Sequence, residues 1–201
     1  MLKQSILLGT YGWRHAFWST AFYPEDLPTE DGDDWRLSYY SNEFNTVLVP
    51  ASYWQSTSED EIEDWLDNVH KDFHFFVQCH ADMFETLSLA EVTELLKQLS
   101  PQLAGLVFLV DELPMPSDIK KSFIQLAALL EVKLLDASSE SIDFIVIEDA
   151  LQDLRASRAK IEPFLAQLNQ QVKQATIIVK HPQLQAENLA KFRSVLDIMG
   201  Y

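Results

Sequence analysis

The sequence is short of cysteine, glycine and long apolar runs, and each shortage excludes a class of protein. Its one cysteine, Cys79, cannot form an intramolecular disulfide framework. Its five glycines form neither Gly-x-Gly-x-x-Gly nor Gly-x-Ser-x-Gly, so a phosphate-binding glycine loop and an α/β-hydrolase have no support. The longest apolar stretch, residues 103–110, is far below the roughly 18 residues that cross a bilayer. We therefore expect a cytoplasmic protein with no membrane partner.

Positive charge is scarce as well. The chain has 15 lysines and arginines against 31 aspartates and glutamates, which gives a formal net charge of −16. Such a chain is repelled by phosphate backbones, so we expect no nucleic-acid partner. Acidic residues cluster at 25–34 and 59–67, and we interpret these runs as a solvated loop and a solvated helix face.

Apolar strands alternate with amphipathic helices along the chain. Six strands are predicted, one starting at Ile6 and the others at 44–49, 73–78, 106–110, 143–148 and 176–180. Capping-box patterns at Ser58 and Ser88 predict helix starts, and Pro163 is expected to break a helix over 151–172. Continuously apolar strands between helices indicate a parallel sheet covered by helices. Because a complete eight-stranded barrel takes about 250 residues, the pattern predicts one α/β domain over 1–201, either a shortened barrel or an open doubly wound sheet.

The first strand runs into an aromatic loop over residues 6–23. Gly9 and Gly12 permit a sharp turn at the strand end, which predicts that Trp13 and His15 lie at the carboxyl-end mouth of the sheet. The aromatic group comprises Trp13, Phe17, Trp18, Phe22, Tyr23, Tyr53 and Trp54. Part of this group is predicted to be core, and the rest could stack on a sugar ring, a base or a partner's side chain.

The polar residues that follow the strands are the candidate site, because ligands of parallel α/β folds meet the carboxyl ends of the strands. The ligand-binding candidates are Trp13, Arg14, His15, Tyr53, His80, Asp82, Glu148, Lys180 and His181. A divalent-metal site is the alternative, because imidazole and carboxylate bind Zn, Mn and Fe. Its candidate ligands are His15, His80, Asp82, Glu148 and His181. No His-x-His or His-Glu-x-x-His motif supports that site, so we expect no cofactor.

Three pairs of neighbouring residues allow two interpretations. Cys79 beside His80 is predicted to be a small buried hydrophobe rather than a reactive thiolate, because neighbours along a strand point to opposite faces. Asp111-Glu112 and Glu148-Asp149 could supply paired carboxylates for acid–base chemistry. For Glu148-Asp149 we favour the start of the next helix, where the helix dipole stabilises negative charge.

Three motifs follow one another along the first quarter of the chain: Gly9-Thr10-Tyr11-Gly12-Trp13, Phe22-Tyr23-Pro24 and Phe44-Asn45-Thr46-Val47. Together they resemble the opening of domain-of-unknown-function family 72, the YecE-like proteins. Later segments are similar to the family in order and spacing, namely Phe73-His74-Phe75, Ala104-Gly105 and Ala186-Glu187-Asn188-Leu189. The resemblance spans nearly the whole chain. It implies a TIM-barrel-like α/β fold, related in shape to metal-dependent barrels such as endonucleases of the xylose-isomerase type, and no established activity.

This chain departs from the family pattern at the site face. Tyr11 stands in place of a serine, Leu48-Val49-Pro50 in place of Glu-Ile-Asn, Gln78 in place of a lysine and Val179-Lys180 in place of Asn-Asn. The resemblance therefore implies a TIM-barrel-like member, shortened to about six strand–helix units or incompletely closed, with an eroded site. We predict that it binds a small molecule or a protein. The alternative is a metal-dependent barrel enzyme of the phosphoester hydrolase or sugar isomerase type.

Overall fold

The structure is a computed structural model, and the residues it describes are 5–15, 18, 21–25, 32–109, 116–136, 141–168 and 172–201. The strands in these ranges are β1 (Ser5–Tyr11), β2 (Thr46–Val49), β3 (His74–Gln78), β4 (Leu103–Phe108), β5 (Lys133–Asp136), β6 (Phe144–Ile147) and β7 (Gln174–Val179). The helices are α1 (Gly32–Glu43), α2 (Ala51–Trp54), α3 (Glu59–Asp67), α4 (Met83–Thr86), α5 (Leu89–Lys97), α6 (Ser117–Leu129), α7 (Leu154–Gln167) and α8 (Ala186–Met199).

These strands form one parallel sheet in the order β5-β4-β3-β2-β1-β7-β6. β1 lies between β2 and the last strand, β7, which is the order of a barrel wound by successive strand–helix units. In the described part of the chain no hydrogen-bonded ladder joins β5 to β6. Lys133 at the start of β5 nevertheless forms an ion pair with Asp143, beside the start of β6. The fold is a nearly closed, TIM-barrel-like α/β sheet with outer helices, and this confirms the predicted class.

One strand was missed by the sequence patterns. The described ranges hold seven strands rather than six, and the additional one, β5, is the four-residue segment Lys-Leu-Leu-Asp with only Leu135 buried. A segment of four residues is too short for its sequence pattern to distinguish a strand from the end of the preceding helix, α6. Its strand conformation depends on pairing with β4, in which Leu106 lies opposite Leu134 and Phe108 opposite Asp136.

Two predictions about α7 were wrong. The helix continues through Pro163 without a break. Pro163 and Ala159 are both exposed, so water can solvate the Ala159 carbonyl that loses its helical hydrogen bond. Nor does Glu148-Asp149 start the helix, because the N-cap is Asp153, whose carboxylate accepts hydrogen bonds from the backbone N–H groups of Arg155 and Ala156.

The capping boxes at Ser58 and Ser88 are confirmed. Each serine side chain accepts a hydrogen bond from the backbone three residues later, and the glutamate there, Glu61 or Glu91, accepts one from the serine backbone.

Among the described residues no helix combines the length and the apolar character needed to cross a bilayer.

The sheet separates two apolar cores. The barrel interior contains Leu48, Phe76, Val107, Leu109, Leu135, Phe144 and Ile178. The alternate strand residues, such as Val47, Phe75 and Ile177, face the helix layer. Gly9 allows β1 to pass close to β2, because a Cβ at this position would lie 2.1 Å from the carbonyl oxygen of Thr46.

Several described members of the aromatic group are core, as predicted for part of the group. Trp13, Trp18 and Trp54 have no exposed surface, and Tyr23 is 3% exposed. The Trp18 indole N–H donates to the Leu184 carbonyl at 2.8 Å, and the Tyr23 hydroxyl donates to the Trp13 carbonyl at 2.6 Å. Phe17 lies outside the described residues. These bonds fix the chain at the point where it leaves β1.

Candidate functional site

Polar side chains from β1, β3 and the residue after β7 lie inside the barrel at the carboxyl ends of these strands. Gln78 and Lys180 each follow an inward-facing residue, Phe76 and Ile178, by two positions, so they continue the same face. Tyr11, the last residue of β1, packs against the same interior cluster. The Tyr11 hydroxyl donates to Gln78 Oε1 at 2.6 Å, and Lys180 Nζ lies 5.5 Å from the centroid of the Tyr11 ring.

A second donor fixes the amide of Gln78. The backbone N–H of Ala51, at the start of α2, donates to the same Oε1 atom at 3.0 Å. Because a backbone N–H can only donate, the atom that it contacts must be the amide oxygen. Gln78 is 6% exposed, so this network ties β1, β3 and α2 together at the barrel mouth.

Two adjoining cavities open at this mouth. The first, which we call the Arg14 cavity, has a volume of about 390 Å³ and is lined by Tyr11, Arg14, His15, Pro50, Ser52, Tyr53, Lys180, His181 and Pro182. The second, the His80 cavity, has a volume of about 420 Å³ and is lined by Tyr11, Ala51, Ser52, Gln55, Gln78, His80, Asp82, Leu109 and Lys180. Tyr11, Ser52 and Lys180 belong to both walls, so the two cavities are neighbours.

The Arg14 cavity is cationic. Its described lining includes Arg14 and Lys180 but no carboxylate, although the chain as a whole carries −16. The Arg14 guanidinium lies 4.6 Å from the centroid of the Tyr53 ring, a cation–π contact that positions it. Lys180, whose side chain is 23% exposed, forms an ion pair with Glu148 (Nζ to Oε1 3.3 Å), and this glutamate is 71% exposed and lines neither cavity.

His15 contributes no positive charge at neutral pH. Burial lowers its pKa to about 4, against the smaller opposite effect of its hydrogen bond to the Gly12 carbonyl. A carbonyl can only accept, so Nε2, 3.1 Å from it, carries the proton, and Nδ1 is the acceptor of the neutral ring. The ring packs on Trp18 with a centroid distance of 4.4 Å.

His181 presents a donor. The backbone N–H of Gln183 donates to Nδ1 of His181 at 3.1 Å, so Nδ1 is unprotonated. Nε2 then carries a proton and can donate to a bound ligand. The Arg14 cavity therefore combines two permanent cations with an imidazole N–H.

The His80 cavity contains an imidazole–carboxylate pair. Nδ1 of His80 and Oδ1 of Asp82 are 2.5 Å apart, and both side chains are about half exposed, at 44% and 58%. A carboxylate can only accept, so Nδ1 donates the hydrogen bond.

Of the ligand-binding candidates that the sequence predicts, all except Trp13 and Glu148 lie in the wall of one of the two cavities. Trp13 follows the end of β1 but is fully buried, packed edge-on against Tyr53 and Trp65 at 5.1 Å from each. Tyr11 and Gln78 were missed as site residues. The only sequence signal at these two positions is the departure from the pattern that the chain resembles, and such a departure by itself indicates a lost group rather than a new one.

The described residues contain no group of three or more His, Cys, Asp or Glu side chains that could hold a metal ion. Among the proposed ligands, His15 and His181 line one cavity, whereas His80 and Asp82 line the other. Asp111 and Glu112 lie outside the described residues.

Two other reactive groups belong to the scaffold. Cys79 is fully buried, as predicted. Burial raises the pKa of Asp149, but hydrogen bonds from Lys160, the Leu151 backbone and Ser157 outweigh this effect, and the net shift is downward. Asp149 thus links the turn after β6 to α7 and lines neither cavity.

A family model described as protein of unknown function DUF72 matches residues 7–197. No curated protein matches the sequence. Similar solved structures include a DUF72 family protein from Thermotoga maritima, with 15% identity, a TM-score of 0.64 and coverage of 96% of this chain and 100% of that one. A DUF72 family protein from Enterococcus faecalis has 11% identity, a TM-score of 0.59 and coverage of 96% and 95%.

A further similar structure is the 3-keto-D-glucoside 4-epimerase of Escherichia coli. It has 14% identity and a TM-score of 0.50, with coverage of 97% of this chain and 99% of that one. At these identities the likeness concerns the fold, which supports the TIM-barrel-like assignment.

Proposed function

Because the chain belongs to the DUF72 family of proteins of unknown function, we propose a function from its own site: it binds a small anionic molecule at the barrel mouth. The observation that carries this proposal is the cationic lining of the Arg14 cavity in a chain of net charge −16. The bound group is a carboxylate or a phosphate, held by the Arg14 guanidinium and the Lys180 ammonium, with the His181 N–H as an additional donor.

The charge of the whole chain favours a small ligand over a polyanion. A nucleic acid or an anionic membrane would bring many negative charges close to an acidic surface, whereas a small anion meets only the local potential of the cavity. The two adjoining cavities, of about 390 and 420 Å³, fall within the usual size of small-molecule sites. The wall of the His80 cavity, which includes Gln55, Gln78 and Ser52, is the more polar of the two and suits hydroxyl groups on the rest of the ligand, so a sugar acid or a sugar phosphate is the class we propose.

The rings at the mouth have a supporting role in this proposal. Tyr53 faces Arg14 and Tyr11 faces Lys180, so both rings hold cations in position. This arrangement favours anion binding over the stacking of a base or a sugar on these rings.

Isothermal titration calorimetry at low ionic strength tests the proposal, with inorganic phosphate, glucose 6-phosphate and glucuronate as probes. Arg14→Gln and Lys180→Gln should each weaken binding by about tenfold or more, because each removes a charged hydrogen-bond donor. Lys97→Gln is the matched control, since Lys97 is an exposed cation in the last turn of α5 and lines neither cavity. Equal affinities in all four proteins, or no binding at all, would refute the proposal.

The metal-dependent alternative has its own test. Protein purified without chelator or affinity tag is analysed by elemental mass spectrometry beside His181→Ala. About one equivalent of Zn, Mn or Fe that is lost in the variant would favour an enzyme of the phosphoester hydrolase or sugar isomerase type.

A further inference from the structure

Two histidines in the wall of the Arg14 cavity have opposite hydrogen-bonding roles, and each role is fixed by a backbone group. Nε2 of His15 donates to the Gly12 carbonyl at 3.1 Å, so Nδ1 of His15 is an acceptor. Nδ1 of His181 accepts from the Gln183 backbone N–H at 3.1 Å, so Nε2 of His181 is a donor. Both rings line the same cavity of about 390 Å³. The wall therefore offers a ligand one imidazole acceptor and one imidazole donor.

The acceptor of His15 is left for a bound molecule. One side of the ring packs on Trp18, and Nε2 is occupied by the Gly12 carbonyl. Within the described ranges no group donates to Nδ1 of His15. The buried side-chain nitrogen and oxygen atoms without a partner in those ranges are Nε1 of Trp13 and Nε2 of Gln55. Nδ1 of His15 is therefore accessible, and its ring belongs to the cavity wall.

This acceptor determines what can lie against it. Because burial lowers its pKa to about 4, the His15 ring is uncharged at neutral pH, and Nδ1 keeps its lone pair. An ionised carboxylate or phosphate oxygen would oppose this lone pair with another one. A ligand group that displaces water from such an atom without donating a hydrogen bond loses affinity. The ligand must therefore carry a donor as well as its anionic group.

The donor belongs close to the anionic group. Arg14 and His15 are adjacent in the chain and line the same cavity, so the groups that they bind are close together on the ligand. An ammonium could donate to Nδ1, but the cationic wall formed with Lys180 disfavours a positive group. A hydroxyl donates without adding charge.

We propose that the bound anion is a 2-hydroxy carboxylate and that His15 is the residue that selects its hydroxyl. The carboxylate accepts from the His181 N–H and lies beside the Arg14 guanidinium, and the hydroxyl on the adjacent carbon donates to Nδ1 of His15. This inference rests on the proposed function, because it specifies which anion the Arg14 cavity binds. Among sugar derivatives it selects the acids with a free hydroxyl beside the carboxylate.

NMR titrations at neutral pH and low ionic strength measure the selection with two matched pairs of ligands. The pairs are D-gluconate with 2-deoxy-D-gluconate, and each enantiomer of glycerate with 3-hydroxypropionate. The members of a pair differ only in the hydroxyl beside the carboxylate. The protein should bind the hydroxylated member about fivefold or more tightly, since one hydrogen bond to a partly buried acceptor is gained.

Variants of His15 separate selection from structural damage. His15→Phe keeps an aromatic ring beside Trp18 but has no acceptor, so it should bind both members of a pair equally and keep the affinity for the deoxy member. His15→Gln supplies an amide oxygen and should recover part of the preference. His70→Phe is the matched control, because His70 also donates to a backbone carbonyl but lines neither cavity. Damage to the fold would instead lower both affinities of a pair.

The outcomes distinguish this inference from the proposed function. Equal affinities within both pairs, or no binding of these acids, would overturn the inference and leave the proposed function standing if inorganic phosphate still binds. A preference that persists undiminished in His15→Phe would overturn it as well, because another group would then recognise the hydroxyl. Binding of neither the acids nor phosphate would remove both.

Discussion

The hydroxyl of Tyr11 donates a 2.6 Å hydrogen bond to Oε1 of Gln78, which links β1 to β3 across the intervening strand β2. Both residues line the His80 cavity at the barrel mouth. With the backbone of Ala51, they form one connected network there.

Removing the Tyr11 hydroxyl tests this network. Tyr11→Phe should lower the free energy of unfolding by about 1 kcal/mol, the usual net value of one hydrogen bond. Gln78→Leu should cost more, about 2 kcal/mol, because it leaves both the Tyr11 hydroxyl and the Ala51 N–H without their acceptor. Urea denaturation measures both values. Unchanged stability in both variants would show that the network does not hold the mouth together.

The fold was predictable where the determinants are local. The capping boxes of α3 and α5 each need only a serine and a glutamate three residues apart, so Ser58 and Ser88 identified both helix starts. β5 could not be identified in this way, because its conformation depends on pairing with β4, a contact outside the segment. The cap of α7 is local as well, but the sequence predicts the wrong one, because Glu148-Asp149 offers an acidic helix start slightly before Asp153.

The candidate site was predictable for residues that follow strands. Arg14, His80 and Lys180 reach the cavities because the carboxyl ends of parallel strands converge at one mouth. Tyr11 and Gln78 lie within strands, where a polar residue gains its role from strand register and from closure of the barrel. Trp13 could not be separated from Arg14 by sequence, since which of two adjacent side chains turns inward depends on packing against Tyr53 and Trp65.

The His15 imidazole should titrate far below the usual range. Its pKa is lowered to about 4 by burial, so proton NMR of the ring should show a midpoint near pH 4, with the signal assigned from its absence in His15→Gln. The unfolded chain, with a histidine pKa of about 6.5, then binds more protons than the folded protein between these values. His15 therefore destabilises the fold progressively as the pH falls from about 6.5 to about 4. A midpoint near 6.5 would contradict the burial of this ring.

The two capping serines should each contribute measurably to stability. Ser58→Ala and Ser88→Ala should each lower the free energy of unfolding by about 1 kcal/mol, because each leaves an N-terminal backbone N–H without its acceptor. Ser194→Ala is the control, since Ser194 is exposed within α8 and alanine is the better helix former there. A similar loss in all three variants would mean that the caps are not the cause.

Gly9 should be the least replaceable glycine of the barrel. An alanine Cβ at this position would lie 2.1 Å from the Thr46 carbonyl oxygen and 2.8 Å from its side chain, so β1 and β2 would have to separate. We expect Gly9→Ala to destabilise the protein by about 4 kcal/mol or more, or to prevent soluble expression, because the clash is with backbone that cannot rotate away.

Gly200→Ala is the control: its φ of +95° is strained for alanine, but nothing lies within 4 Å, so a cost of about 1 kcal/mol is expected. Thermal unfolding of the two variants distinguishes a strand clash from backbone strain. If Gly9→Ala melted no lower than Gly200→Ala, the close approach of β1 to β2 would be wrong, and with it the register that directs Tyr11 to the barrel mouth.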